Sequence, residues 1–436
     1  MTSLDRLKGP FAKLYKTGFF HIFGAGTINK MVSSITMIVL VWLIPKAEYG
    51  LYSYVFNIVS IFALFNGLGA SSALLQLCCE HMEDRPLMLA VFRYGEHWGR
   101  VADVLLAAIM LGYALLAPGA LPGSQPLLAA YCLYPLVVLI CELRLVYLRS
   151  NLNNKAYAYM TNIQTLFLAG FSICGAFAAG VPGIIVGQYV AYLASYAMLV
   201  WRHQLPKPTP EEQKRSFSKK EYWYVALVSS LNNGLSQALS LSGTFFVGQF
   251  LASDVAVASY KVATTIPFAL LFIPTMLATY FYPYFANRCN DGPWTRRNYL
   301  KLTIVLLVVI GMLSIVAIVL GSPIISLLFG KQYLDAVQAF QILMIGFFLT
   351  SSLRIPAGNL LVTQKRLTAN TAIAIISIVT NIALSIWLVP TYQLVGAAWA
   401  YTGTMLVGAV VAPLCYWKTI CIIGRNNNAG LHDRQY

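Results

Sequence analysis

The sequence has few charged residues. Only 10% of its 436 residues are charged, whereas an average soluble domain has about 25%. Hydrophobic residues make up 58% of the chain, and the mean hydropathy is +0.68. This composition excludes an ordinary soluble domain and indicates an integral membrane protein.

Acidic residues are scarce relative to basic ones, with 15 Asp and Glu against 30 Lys and Arg and a net charge of +15. A basic balance can indicate nucleic-acid binding, but the distribution of the charge excludes it here. Most basic residues fall in loops predicted to be cytoplasmic, Lys46, Lys261 and Lys331 are predicted on the outer side, and Lys30 and Arg354 lie within spans. This positive-inside pattern is a topology signal, and it predicts a multi-pass protein with both termini in the cytoplasm.

The chain also lacks the motifs of common catalytic and cofactor sites. Its eight cysteines form no CxxC pair and have no histidine at a zinc-binding spacing. We find no nucleophile and base pair, no glycine-rich phosphate loop and no Walker motif. The sequence therefore predicts no cofactor and no ATP-driven activity, so energy for transport must come from an ion gradient, the membrane potential or a downhill substrate.

What the chain does contain is long apolar runs. A bilayer-spanning helix needs about 20 mostly apolar residues. The windows that meet this length are 18–44, 50–78, 99–121, 125–147, 156–180, 183–204, 222–251, 256–286, 300–321, 335–362, 367–389 and 395–418. The first run is longer than a signal-peptide core and lacks a clean cleavage site, so we expect an uncleaved first helix. The sequence therefore predicts an all-α membrane protein with twelve transmembrane helices.

A linker divides the chain near its middle. Residues 206–221, PKPTPEEQKRSFSKKE, form the only stretch rich in both proline and charge. The predicted domains are an N-terminal lobe over 1–205 with helices 1–6, this cytoplasmic linker, and a C-terminal lobe over 222–436 with helices 7–12 and a basic tail.

The two predicted lobes repeat each other with an offset near 210 residues. Similar features at this offset are Glu48–Ser53 with Val255–Tyr260, Lys155 with Arg366, and Gly183 with Gly396. Six spans per lobe is an even number, so both lobes enter the membrane the same way up. This predicts a pseudo-twofold axis along the membrane normal, as in two-lobed transporters.

Two basic residues lie within predicted spans. Lys30 lies about 18 Å from the start of the first span, near the bilayer midplane, and it shares a helix face with Ser33. Arg354 in the tenth span has Thr350 and Ser351 behind it. A charge at this depth costs roughly 3 kcal/mol and normally faces a protein interior or a water-filled cavity. We therefore predict that Lys30, Ser33 and Arg354 line a cavity.

A polar stripe runs along the seventh span. Asn233, Gln237 and Thr244 lie on one face at spacings of four and seven. Their amides and hydroxyls match the hydroxyls of a sugar, which predicts that they line a substrate cavity. The alternative is hydrogen bonding between helices, worth roughly 0.6 kcal/mol for each residue.

Two acidic residues, Asp103 and Glu142, lie near predicted cytoplasmic helix ends. Both are within reach of arginines, so interface salt bridges with Arg100, Arg144 and Arg149 would explain them. A proton relay is the alternative role for these two carboxylates.

Three short motifs, in order along the chain, resemble a known family. They are Glu48–Tyr52, Leu327–Tyr333, and Leu388–Pro390 followed by Val395–Ala398. Together they resemble the polysaccharide-transport branch of the multidrug/oligosaccharidyl-lipid/polysaccharide flippase superfamily. These proteins are the bacterial repeat-unit flippases of O-antigen, capsule and exopolysaccharide assembly, and the resemblance covers nearly the whole chain.

The resemblance implies a function and its partners. It implies two six-helix lobes with a cavity between them, in the bacterial cytoplasmic membrane, and alternating access as the mechanism. The implied substrate is a polyprenyl pyrophosphate-linked oligosaccharide, with a coupling ion and with polysaccharide polymerase and chain-length proteins as partners. Lys30 is then the leading candidate to bind the pyrophosphate or an acidic sugar. Family members often carry an aspartate in the seventh span, where this chain has Ser242 or Gly243, so coupling through that carboxylate is in doubt.

Two other functions are compatible with parts of the sequence. A cation-coupled multidrug exporter of the same superfamily would need an acidic cavity, whereas the deepest charged residues predicted here are basic. A membrane glycosyltransferase or ligase would need carboxylates near the outer face and a large external loop. The predicted outer loops are short and carry only Glu48, Asp254 and Asp335, so we expect a transporter and not an enzyme.

Overall fold

A computed structural model describes residues 19–117, 119–202, 212, 215–288, 291–364 and 367–432. Within these residues all regular structure is helical, and there is no β-strand. The predicted all-α fold class is confirmed. Half of the predicted linker 206–221 lies outside the described residues, as do the first 18 residues and the last four of the basic tail.

Fifteen α-helices, two 3-10 turns and one π-turn make up the described residues. The α-helices are Phe19–Leu43, Lys46–Phe62, Ala70–Glu80, Arg85–Leu116, Ser124–Ala130, Tyr134–Ser150, Asn154–Arg202, Lys219–Leu251, Asp254–Leu270, Phe272–Asn287, Gly292–Val319, Gly321–Phe329, Val337–Leu349, Ile355–Thr363 and Leu367–His432. The 3-10 turns are Ala63–Gly69 and Lys331–Ala336, and the π-turn is Thr350–Arg354.

Nine helical stretches of the described residues are long and apolar enough to cross a membrane. Two of the long helices are longer than one crossing, since the 49 residues of Asn154–Arg202 rise about 70 Å and a bilayer core is about 30 Å thick. Each of the two bends sharply, at Ala179 and Gly180 in one and at Gln393 in the other, where the sequence predicts turns between spans. Lys219–Leu251 is long enough for a further span. The fold is therefore consistent with the predicted twelve spans.

The predicted repeat between Gly183 and Gly396 has a structural counterpart. A Cβ atom on Gly183 would lie 1.9 Å from the carbonyl oxygen of Gly175, and a Cβ on Gly396 would lie 2.0 Å from that of Leu388. Each glycine therefore lets the backbone fold closely back on itself just after the bend. The last two spans of each half turn in the same way.

Two predicted boundaries are wrong. The third span begins at Arg85 and the ninth at Gly292, well before the predicted 99 and 300. At both starts an aspartate, Asp84 or Asp291, accepts a hydrogen bond from the backbone N–H three residues later, at 3.2 and 3.0 Å. A proline follows in the first turn of each helix. These caps stabilise the first turns of both helices, so the helices begin before their apolar windows.

The chain forms two compact units, Met1–Gly234 (unit 1) and Leu235–Tyr436 (unit 2). The division falls inside helix Lys219–Leu251, whose first half belongs to unit 1. The functional lobe boundaries predicted from the linker, 1–205 and 222–436, stay a prediction.

Each unit has its own apolar core. In unit 1, Leu74, Phe92, Leu139 and Tyr222 lie in one buried cluster, so the start of the seventh span packs with the second, third and fourth. In unit 2, buried residues of the eighth to twelfth spans form another cluster, which includes Phe285, Tyr299, Leu361 and Tyr416. Burial of each large side chain contributes roughly 1.5–3 kcal/mol, so the spans of each unit are held by their own contacts.

Candidate functional site

Lys30 lies on an open surface of unit 1. The first span, Phe19–Leu43, packs mainly along helix Asn154–Arg202, and only 11% of its most apolar window is buried. Lys30 and Ser33 are both exposed. Lys30 forms no ion pair with a carboxylate among the described residues. That Lys30 and Ser33 line a cavity stays a prediction.

The residues of the polar stripe in the seventh span differ in how exposed their side chains are. Asn233 is exposed in unit 1, and its Nδ2 donates to Ser72 Oγ across a long 3.4 Å. Gln237 is exposed in unit 2, but Thr244 is only 2% exposed and packs inside that unit. Asn233 and Gln237 therefore have the exposure that a cavity-lining residue needs, whereas Thr244 is covered by its own unit.

A chain of hydrogen-bonded neutral polar groups lies at the position where the resemblance implies an aspartate. Ser242 Oγ donates to Asn381 Oδ1 at 2.6 Å, and Asn381 Nδ2 donates to Thr404 Oγ1 at 3.3 Å. The neighbouring Gly243 is in contact with the Tyr260 hydroxyl, because a Cβ there would lie 2.1 Å from it. These groups hold the seventh, eleventh and twelfth spans together without a carboxylate.

Arg354 lies at the end of a π-turn in unit 2. The turn, Thr350–Arg354, adds a wide step to the tenth span, and such steps in α-helices are frequent at functional sites. The Arg354 side chain is half-buried, and the contact of its Nη1 is the thioether sulfur of Met405, at 3.8 Å. Within the described part of the chain, no carboxylate pairs with this guanidinium.

Arg354 also lines a pocket within unit 2. The pocket has a volume of about 170 Å³, and its lining includes Asn359 and Asn370. Gln237 and Thr244 are not among the lining residues. Of the predicted site residues in unit 2, the pocket therefore contains only Arg354.

The salt bridges predicted for Asp103 are wrong. Its side chain is fully buried, and Oδ1 accepts a 2.6 Å hydrogen bond from the backbone N–H of Gly67. The Asn66 side chain donates to both carboxylate oxygens when its amide nitrogen faces them, and also to the carbonyl of Pro135 at 3.3 Å. Asp103 therefore stabilises the break in the second span at Ala63–Gly69.

The predicted arginine partners pair elsewhere. Arg100 and Arg144 both approach Glu96, at 2.5 and 3.7 Å, and no described arginine forms a salt bridge with Glu142. Glu96 lies one helical turn before Arg100, a spacing that favours pairing. That spacing was the available sequence signal for this ion pair, just as the Asn66–Gly67 dipeptide was a turn signal for the break.

A further group of buried polar side chains connects spans in unit 1. Gln188 Nε2 donates to the Tyr52 hydroxyl at 2.9 Å, and the Tyr131 hydroxyl donates to Gln188 Oε1 at 2.8 Å. Gln188 is 7% exposed. Its amide is satisfied on both sides, so this group stabilises unit 1 and presents little to a ligand.

Comparison with known proteins identifies related sequences and folds. A family model described as polysaccharide biosynthesis protein matches residues 39–338. Among curated protein sequences, none matches the chain.

Several solved structures share the fold at low sequence identity. Lipid II flippase MurJ in an inward closed conformation is 14% identical, with a TM-score of 0.70 over 93% of this chain and 90% of MurJ. An inward-facing multidrug resistance MATE family transporter of the MOP superfamily is 13% identical, with a TM-score of 0.69 over 91% and 96%. A MOP superfamily transporter from Pyrococcus furiosus is 15% identical, with a TM-score of 0.64 over 93% and 96%. The chain has the fold of these membrane transporters.

Proposed function

The chain belongs to the polysaccharide biosynthesis protein family, and from that premise we propose that it is a repeat-unit flippase. It moves a polyprenyl pyrophosphate-linked oligosaccharide across the bacterial cytoplasmic membrane by alternating access. The product serves the assembly of O-antigen, capsule or another exopolysaccharide, together with a polymerase and chain-length proteins. The transporter fold shared with MurJ and MATE proteins supports a transporter and not a glycosyltransferase.

The observation that carries this proposal is that two basic side chains lie within spans and have no described acidic residue as an ion-pair partner. Lys30 and Arg354 each lie in a spanning helix, and neither pairs with a carboxylate among the described residues. An unpaired charge at the depth of the bilayer core is costly, and a ligand of opposite charge lowers that cost. A pyrophosphate is a ligand of that kind.

The same charges explain how a phosphate-bearing head group can cross. The polyprenyl tail stays in the hydrocarbon, so only the glycan and its phosphates have to move. Leaving two phosphate charges without compensation in the bilayer core would cost many kcal/mol. Lys30 and Arg354 lower that cost, while Ser33, Asn233, Gln237 and Thr244 are the proposed partners of sugar hydroxyls.

The experiment that tests the proposal is complementation of a flippase-deficient strain with Lys30→Ala. We expect loss of surface glycan at unchanged protein abundance, because the substitution removes charge from an exposed position. Lys155→Ala is the matched control, since Lys155 is also an exposed lysine but lies at the start of a helix. It should complement fully.

Two results would contradict the proposal. Full complementation by Lys30→Ala would remove this lysine from the site. Hypersensitivity of the deletion strain to cationic dyes, with normal surface glycan, would identify a multidrug exporter instead.

A further inference from the structure

The pocket beside Arg354 has the lining of an anion-binding site. Its walls carry one cation, Arg354, and two amides, Asn359 and Asn370, among apolar groups such as Ile373 and Ala412. Its volume of about 170 Å³ is several times the ~30 Å³ that a water molecule takes in the liquid. The pocket is therefore large enough for a tetrahedral anion, and Asn370 is exposed at its edge.

The Arg354 side chain is held in place by packing. It lies directly over Gly408 of the twelfth span, where a Cβ atom would come within 2.7 Å of Arg354 Cδ and 3.0 Å of Nε. A guanidinium has five N–H donors, and the thioether of Met405 is a weak acceptor. The guanidinium is therefore positioned but has most of its hydrogen-bonding capacity left.

The two amides have different roles in the pocket. Asn359 Nδ2 donates to the backbone oxygen of Ile355 at 2.9 Å, which fixes its side chain along the tenth span. One hydrogen of that amide nitrogen and both hydrogens of Asn370 are the further donors available around the pocket. The lining therefore combines a planar cation with neutral donors and has no acidic group.

We propose that this pocket binds a phosphoryl group, and that it does so within unit 2 alone. The planar guanidinium matches two oxygens of a phosphate, and the amides can donate to a further oxygen. A sugar hydroxyl is neutral and does not require a cation. The phosphoryl group can come from two sources. One is the pyrophosphate of a lipid-linked substrate, and for this source the inference rests on the proposed function. The other is the head group of a bilayer phospholipid.

Binding to the purified full-length protein tests this directly. The probe is farnesyl pyrophosphate, with farnesol as the uncharged match, and affinity is measured by calorimetry in detergent. We expect the wild type to bind the pyrophosphate and not farnesol. Arg354→Ala should weaken binding about 10- to 100-fold, the effect of losing a hydrogen bond to a charged group.

Two further variants separate geometry from charge. Arg354→Lys keeps the charge but loses the bidentate contact with two phosphate oxygens, so we expect an intermediate loss of affinity. Gly408→Ala should also weaken binding, since the new methyl group displaces Arg354 Cδ and Nε and leaves the charge intact. Gly170→Ala is the control, because a Cβ atom there has nothing within 4 Å, and we expect it to bind like the wild type.

The outcomes distinguish the pocket from the proposed function. Equal affinity of the wild type and Arg354→Ala, or farnesol binding as tightly as its pyrophosphate, would overturn the phosphoryl site. Competition by phosphatidylglycerol at equal affinity would support the phosphoryl site with a bilayer lipid as its ligand. The binding assay does not require transport, so the two proposals can fail separately. The phosphoryl site can be overturned while Lys30→Ala still abolishes surface glycan, and the phosphoryl site can be supported while Lys30→Ala complements fully.

Discussion

Asp103 in unit 1 and Arg354 in unit 2 are both charged side chains inside spanning helices, but their surroundings differ. Asp103 is fully buried and accepts hydrogen bonds from the Gly67 backbone and from the Asn66 amide. Arg354 Nη1 donates to the thioether sulfur of Met405, and the side chain borders a pocket. Within the part of the chain that the structure describes, Asp103 has hydrogen-bond donors around its carboxylate, whereas no carboxylate pairs with Arg354.

This difference in surroundings indicates a structural role for Asp103 and a ligand-binding role for Arg354. A buried charge whose hydrogen bonds are made within the protein stabilises the fold, whereas one without partners costs stability unless a ligand supplies them. The helix irregularities follow the same division. The 3-10 break at Ala63–Gly69 is tied to the neighbouring span by Asp103, whereas the π-turn at Thr350–Arg354 ends beside the pocket.

The largest effect on stability is expected for Gly69→Ala in the break of unit 1. Gly69 has φ of 81°, which costs a residue with a side chain about 1–2 kcal/mol. Its Cβ would also lie 2.1 Å from the backbone oxygen of Ala226, and neither backbone can move easily. We expect little or no folded protein, measured as abundance in the membrane.

Gly170→Ala is the matched control for this substitution. Gly170 is helical, and a Cβ atom there would have nothing within 4 Å, so its abundance should equal that of the wild type. Normal abundance of Gly69→Ala would show that the break in unit 1 is not fixed by this close contact.

An intermediate effect is expected for Asp103→Ala. The substitution leaves the Gly67 N–H and the Asn66 amide without their acceptor, which costs about 1–3 kcal/mol. Thermal unfolding of the purified protein should show this loss, and Asp103→Asn should lose less because its oxygen still accepts from Gly67. Surface glycan for each folded molecule should stay at the wild-type level.

The transport readout decides between the two roles considered for Asp103. If Asp103→Asn keeps wild-type stability but abolishes transport, the carboxylate acts as a proton relay. The contrast between the two units would then be lost, because both charges would serve transport.

The sequence predicts the spans well because crossing a bilayer requires a long apolar run, a property of adjacent residues. It predicts Lys30 and Arg354 as unusual for the same reason, since each interrupts such a run. It fails where the apolar pattern alone is followed, because the early starts at Arg85 and Gly292 depend on local aspartate caps that this pattern does not show. It also fails where contacts between distant residues decide.

The local surroundings of the candidate site were less predictable than its residues. The sequence places Asp103 near Arg100, yet the broken second span provides closer partners at Asn66 and Gly67. The pocket depends on Gly408, which lies 54 residues after Arg354 in the chain and leaves room for its side chain. Such pairs are brought together only by packing of the tenth and twelfth spans.

The most direct test of the different roles of Asp103 and Arg354 is to measure the unfolding temperature and glycan export together for Arg354→Ala. We predict that export falls about 10- to 100-fold, as for a lost charged hydrogen bond, while the unfolding temperature is unchanged or higher because a half-buried charge without a carboxylate partner among the described residues has been removed. Wild-type export, or a loss of stability as large as that of Asp103→Ala, would contradict the conclusion that Arg354 serves the ligand and not the fold.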